Sequence, residues 1–268
     1  MPDRASALPD YINPPVNEVV FGVQFKKISG LQTPHIGLLW GKIDRNKFPR
    51  IQEMPTLPHI MEMPDGTKGP SMSIETFERP PLPRIFFINA TEEQLIQVQD
   101  DRFHQNWRKL KEENTYPRYQ TLYPEFKKSW EFFKSFIDES GLSTPIPDQY
   151  ELTYVNQIPQ GLGWTILSDI GKVFKDFQCG RNERFLPEPE TVNWRRIYGL
   201  PNKMGRLHVS LKMAVTKESK KVMVLDLTAR GFISELMDDW FAVAHEWIVR
   251  GFTDLTTDKI QKEIWQKK

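Results

Sequence analysis

The chain has 268 residues, 39% hydrophobic, 12% aromatic and 26% charged, the composition of a folded protein with material for a large core. Its 36 basic residues nearly balance 35 acidic ones, so it lacks the basic excess on which nucleic-acid binders and anionic-membrane binders rely. A single cysteine, Cys179, rules out an intramolecular disulfide; no window nears the ~18 apolar residues of a membrane span, and the opening residues lack the apolar stretch of a secretory signal, so the expected address is the cytosol, with no membrane partner.

In chain order, Pro14-Pro15 ends a leader, and Val19, Phe21, Val23 and Phe25 then alternate at the period of a half-buried strand. Ile36, Leu39, Trp40 and Ile43 recur at helical spacing, with Thr33-Pro34 as the start. Eight prolines between residues 49 and 83 break up the pattern, each removing a backbone donor. Within this insert, residues 50–57 read as an edge strand and residues 61–75 as a loop or mobile hairpin carrying the Asp65-Gly66 turn. Residues 84–88 and 94–99 read as two paired strands joined by a turn at residues 89–93. Tyr119, Tyr123, Phe126, Trp130, Phe133 and Ile137 step by three or four residues and predict a long helix with one aromatic stripe. Pro124 either kinks this helix or marks its first turn, and Gly141 stops it.

After the Thr144-Pro145-Ile146-Pro147 linker the order starts over. Residues 151–158 read as a strand; Trp164, Leu167, Ile170 and Phe174 form a helical stripe; residues 182–190 are polar. Residues 206–211 and 222–227 read as strands joined by a turn at residues 217–220. Trp240, Val243, Ala244, Trp247 and Ile248 face inward from a closing helix, and Thr256-Thr257-Asp258 caps a short terminal one.

The expected fold class is therefore α+β, with two tandem β-α-β-β-α halves related by an internal duplication. Residues 1–145 form the first half, with its Pro-rich insert at 49–83, and residues 146–268 the second. Glu18 matches Glu151, and Gln24 matches Gln157 at the same separation, identities that hydrophobic patterning alone does not produce. Paired strands followed by a helix predict antiparallel sheets with the long helices on one side. A pseudo-twofold pairing would merge the two sheets into one saddle, similar to tandem-repeat folds of the TATA-binding-protein type; two separately packed domains are the alternative.

The stretch Leu8-Pro9-Asp10-Tyr11-Ile12-Asn13-Pro14-Pro15 through Phe25 resembles a sporadically distributed, functionally uncharacterised prokaryotic protein family known by a placeholder name. The resemblance continues through Gln97-Val98-Gln99-Asp100-Asp101-Arg102-Phe103, Asn106-Trp107-Arg108, Tyr154-Val155-Asn156-Gln157-Ile158 and Gly251-Phe252-Thr253-Asp254-Leu255-Thr256. These motifs map to no known chemistry. Sporadic distribution implies an accessory gene, for which phage defence or a toxin–antitoxin-like role is a common setting.

No metal site or cofactor is expected. His35, His59, His104, His208 and His245 form no His-x-His or His-x-x-x-His pair and read as surface or hydrogen-bonded residues. Gly-x-Ser-x-Gly and phosphate-binding glycine patterns are absent, and Cys179 carries no sign of activation. The residues singled out for binding are Arg102, His104 and Trp107 after one strand, Arg230 at the exit of its counterpart, and Trp194, Arg195 and Arg196, where aromatics interleave with cations. Symmetry would make Arg102 and Arg230 equivalent, pointing at a shared groove; the alternative is that both pair with neighbouring acids and anchor the helix that follows. A single cluster of this size, Trp194 to Arg196, more often forms an amphipathic edge strand.

The expected function is non-enzymatic recognition of an unidentified protein or nucleic-acid partner through the groove or the insert. One alternative is an enzyme built around Asp101, Arg102, His104 and Arg230. The other is a carrier with an apolar cavity lined by Phe and Trp.

Overall fold

The computed structural model describes residues 7–62, 82–177, 185–216, 219–232 and 236–268. Val19, Phe21, Val23 and Phe25 are all buried on one face of β1 (Val16–Phe25), as alternation requires. The other strands are β2 (Arg50–Met54), β3 (Arg84–Ile88), β4 (Gln94–Gln99), β5 (Arg102–Arg108), β6 (Pro147–Pro159), β7 (Asn193–Gly199), β8 (Arg206–Val215) and β9 (Lys221–Phe232). They form one antiparallel sheet in the order β2-β3-β4-β5-β1-β6-β9-β8-β7. β1 and β6 are neighbours, with Phe21 opposite Leu152. Outward from β1 run β5, β4, β3 and β2; outward from β6 run β9, β8 and β7.

The helices α1 (Thr33–Lys42), α2 (Tyr119–Glu139), α3 (Ile170–Val173), α4 (Met237–Leu255) and α5 (Asp258–Glu263) complete the fold. α2 lays its stripe on the apolar face: Phe126 packs on Phe21 at 5.2 Å, Trp130 on Phe25 at 5.7 Å, and Phe133 on Phe103 at 5.2 Å. α4 covers the other half of that face through Trp240, Phe241, Ala244 and Ile248, with Phe241 5.5 Å from Tyr150 and 5.8 Å from Phe21. Phe21 therefore touches both long helices. α2 and α4 also meet directly, where the Tyr123 hydroxyl donates to Asp238 Oδ1 at 2.6 Å. α2 ends as Gly141 predicts: with φ +70°, it lets its own N–H and that of Leu142 bond back to Asp138 and Ile137.

Several expectations need correction. The halves are not simple β-α-β-β-α units, because four strands follow α1 and three follow the second half's helical turns. The residues around Arg102 do follow a strand, β4, across the turn at Asp100 and Asp101, but Arg102 itself opens a further strand, β5, which reads poorly from sequence because it mixes His, Gln, Asn and Arg with Phe and Trp. Arg230 lies within β9 rather than at its exit. Pro124 lies inside α2, past its first turn. The stripe from Trp164 to Phe174 yields only a 3₁₀ turn at Leu167–Asp169 and the single turn α3, because Lys175 N–H and the Val173 carbonyl are drawn into bonds with Leu255 and Thr257. Cys179, residues 63–75 with the Asp65-Gly66 turn, residues 182–184, and Lys217 and Glu218 lie outside the described residues.

Candidate functional site: the polar face of the sheet

Side chains between the buried apolar positions point away from the helices. Register places Gln97, His104, Gly22, Glu151, Arg230 and Arg206 in one row across six strands. Gly22 is required there, since a Cβ would lie 2.8 Å from His104 Cδ2; the imidazole occupies the space above it. His104 is 5% exposed, its Nε2 has no partner, and burial drives its pKa down to about 4, so it is neutral at pH 7. Burial pushes the Glu151 carboxyl upward, but the charge of Arg230, a 2.6 Å bond from its Nε and the charge of Arg102 outweigh it and hold the carboxyl low. In the neighbouring part of the face, Arg84 donates to Gln97, Gln97 to Asn106, and Asn106 to Glu18, a relay of 3.2, 2.6 and 2.6 Å.

A strap of residues 57–62 crosses this face. Its backbone is outside any ladder, so its polar groups need other partners, and two glutamines supply them in matched fashion. Gln99 accepts from Leu57 N–H at 2.9 Å and donates to the Leu57 carbonyl at 3.1 Å. Gln149 accepts from Glu62 N–H and donates to the Ile60 carbonyl, both at 2.8 Å. Arg102 donates to the Pro58 carbonyl at 2.9 Å and is braced by Asp101, which also bonds His59 at 3.0 Å. Burial works against the Asp101 carboxylate, yet the bonds from His59 and Arg102 pull its pKa to about 2.

The strap ends in a cradle. The Glu62 side chain is fully buried; His208 Nε2 bonds one carboxylate oxygen, Arg206 donates to the other at 2.9 Å, and Arg230 lies 3.9 Å away. Burial pushes this carboxyl up, but the bonds from His208 and Arg206 and the Arg230 charge overcome it and keep the pKa low. The strap thus contacts β4, β5, β6, β9 and β8, with side chains from both halves of the chain.

Of the residues singled out from sequence, Arg102, His104 and Arg230 share this face with Asp101, and Arg195 joins through a 3.2 Å contact with His208 Nδ1. Trp107 is buried on the opposite face against Tyr116. Trp194 packs on Phe177, and Arg196 stacks over Trp194 while bonding Asp176, so both belong to the other side of the edge strand β7. Arg102 and Arg230 are not register counterparts: Arg102 lies opposite Gln24, whereas Arg230 faces Glu151 as Arg108 faces Glu18. Both arginines pair with acids, but what Arg102 anchors is the strap and not a helix. Two of the histidines depart from expectation, because His104 and His245 are buried and make no hydrogen bond through their rings among the described residues.

Sequence reasoning missed Glu62, Gln99, Gln149, Glu151, Arg206 and His208 as parts of one site. The available signal was the amide or acid placed at every second position of strands that are apolar in between, as in Gln97 and Gln99. Among the described residues, no group of three or more His, Cys, Asp or Glu is arranged to hold a metal ion, and no helix is long and apolar enough to cross a membrane. Neither a family model nor any curated protein matches the chain.

Proposed function

We propose that this protein recognises an extended protein segment carrying an acidic side chain, and that its own strap fills the recognition face until such a partner displaces it. The observation that carries this reading is the Glu62 cradle together with the two glutamines, which grip backbone N–H and C=O groups of residues 57–62 in pairs. Backbone contacts of this kind bind any extended chain, and the Arg206–His208–Arg230 cluster selects a carboxylate. Balanced charge favours an acidic peptide over nucleic acid as the partner. A defence-linked or toxin–antitoxin-like setting, implied by the resemblance to a sporadically distributed prokaryotic family, suits a face that is occupied in cis.

The tethered strap competes at an effective concentration on the order of millimolar, so the test weakens it first. A labelled synthetic peptide with the sequence of residues 57–62 should bind Glu62→Ala at least about tenfold tighter than it binds the unaltered chain. The gain should vanish when Arg206→Ala is added. Equal binding to both chains, or binding indifferent to Arg206, would refute the reading; preferential binding of a single-stranded oligonucleotide would transfer the face to nucleic acid.

The duplication belongs to the same proposal: residues 1–145 and 146–268 are read as copies whose first strands, β1 and β6, pair at the centre. The mirrored strand order and the facing pairs Glu18–Arg108 and Glu151–Arg230 support this.

A further inference from the structure

A cavity of about 400 Å³ lies on the helix side of the sheet, between the segment preceding β1, the start of α2 and the middle of α4. Its size is at the lower end of the ~300–1,000 Å³ typical of small-molecule sites. Tyr119, Tyr154, Asn156 and His245 contribute to its wall, and Arg118 holds the outer side. Arg118 adopts φ +76°, rare for a side-chain-bearing residue, and from there donates to the Tyr11 carbonyl at 2.7 Å and pairs with Asp10 at 3.1 Å. The segment before β1 is thereby pinned as a wall.

Two stacked rings line the cavity, Tyr119 on His245 at 4.0 Å and 14°, and Tyr123 backs Tyr119 from outside the lining at 5.2 Å and 7°. His245 is 9% exposed, and among the described residues its ring nitrogens have no hydrogen-bond partner. Burial alone lowers its pKa to about 4, so at neutral pH it presents one N–H donor and one acceptor. A ligand seated in the cavity replaces solvent at this ring and takes up its free donor and acceptor. The charged groups of the lining, Asp10, Arg118 and Lys268, are paired with one another, so the cavity asks for no ligand charge.

We infer that this cavity is a binding site for a flat, uncharged aromatic or heteroaromatic molecule, which packs among the tyrosines and hydrogen-bonds to the His245 imidazole. The site differs from the Phe- and Trp-lined apolar cavity that a simple carrier would have, because its wall combines aromatic faces with hydroxyl, amide and imidazole groups. It is separate from the strap and stands or falls independently of the peptide reading.

The full chain is titrated with indole-3-carboxamide and with adenine, following the His245 ring signals by NMR, and with cyclohexanecarboxamide as a probe of similar polarity without a flat ring. Both flat probes should shift those signals, and cyclohexanecarboxamide should bind about tenfold more weakly or not at all. His245→Phe, which keeps a ring against Tyr119 and removes both nitrogens, should weaken the flat probes about tenfold. Should that variant fail to fold, the ring shifts of the unaltered chain decide alone. Unmoved His245 signals at millimolar probe, equal binding of cyclohexanecarboxamide, or undiminished binding to a folded His245→Phe would each overturn the inference.

Discussion

Gly22 and His104 make the sheet's centre a place where one methyl group matters. The imidazole lies where a Cβ on residue 22 would be, 2.8 and 2.9 Å from two ring atoms, while Glu151 closes the space on the other side. A ring that is 5% exposed has little room to retreat. Gly22→Ala should therefore destabilise the fold by roughly 1–3 kcal/mol, the usual cost of overpacking a filled site. Adding His104→Ala removes the obstacle, so the double variant should lose clearly less than the sum of the two single losses. Urea denaturation of the four chains measures this, and strict additivity would show that the ring is not what Gly22 accommodates. The glycine was visible in the sequence, set within an alternating strand, but nothing near it named its reason. That reason lies 82 residues downstream, in a strand whose polar residues conceal its period.

At the scale of elements, legibility followed periodicity. α2 and α4 could be read because apolar residues recur every three or four positions, and burial of a stripe is local physics. The strap has no period: its order comes from side chains of Gln99, Arg102, Gln149, Arg206 and His208 reaching its backbone and carboxylate, contacts that local sequence cannot announce. Those contacts make the strap pH-sensitive at both ends. Glu62, facing His208, Arg206 and Arg230, has its pKa lowered from 4.5; its contribution is complete above 4.5 and lost as pH falls through the lowered value. His59 faces Asp101, Asp148 and Arg102, and its pKa is raised from 6.5, first by the bond to Asp101. Its contribution is complete below 6.5 and lost as pH rises through the raised value. Asp101, with a pKa of about 2, stays ionised throughout. Hydrogen exchange at the Leu57 and Glu62 amides, corrected for intrinsic rates, should show greatest protection between pH 4.5 and 6.5, weakening on either side. A flat profile would mean that neither ion pair holds the strap.

For the whole molecule, the decisive fact is that strands from both halves of the chain share one sheet and one apolar core. The α+β class was legible in the sequence, which left open one merged sheet or two separate domains; the joining of β1 to β6 was not legible, because a strand's partner is chosen by long-range packing and its own residues say only that it has one buried face. Phe21 sits at that junction, 2% exposed, against Phe126 of α2 and Phe241 of α4. Deleting its ring leaves a cavity bordered by both halves, and Phe21→Ala should cost roughly 3–5 kcal/mol. If the halves fold as one body, this loss cannot be confined to residues 1–145. Tryptophan reports from both sides, through Trp130 in α2 and Trp240 in α4, each nearly fully buried. Fluorescence and far-ultraviolet circular dichroism should give coincident urea midpoints in the unaltered chain, and Phe21→Ala should move both midpoints together. Two separated transitions, with only the earlier one shifted by the substitution, would show that each half holds its fold without the other.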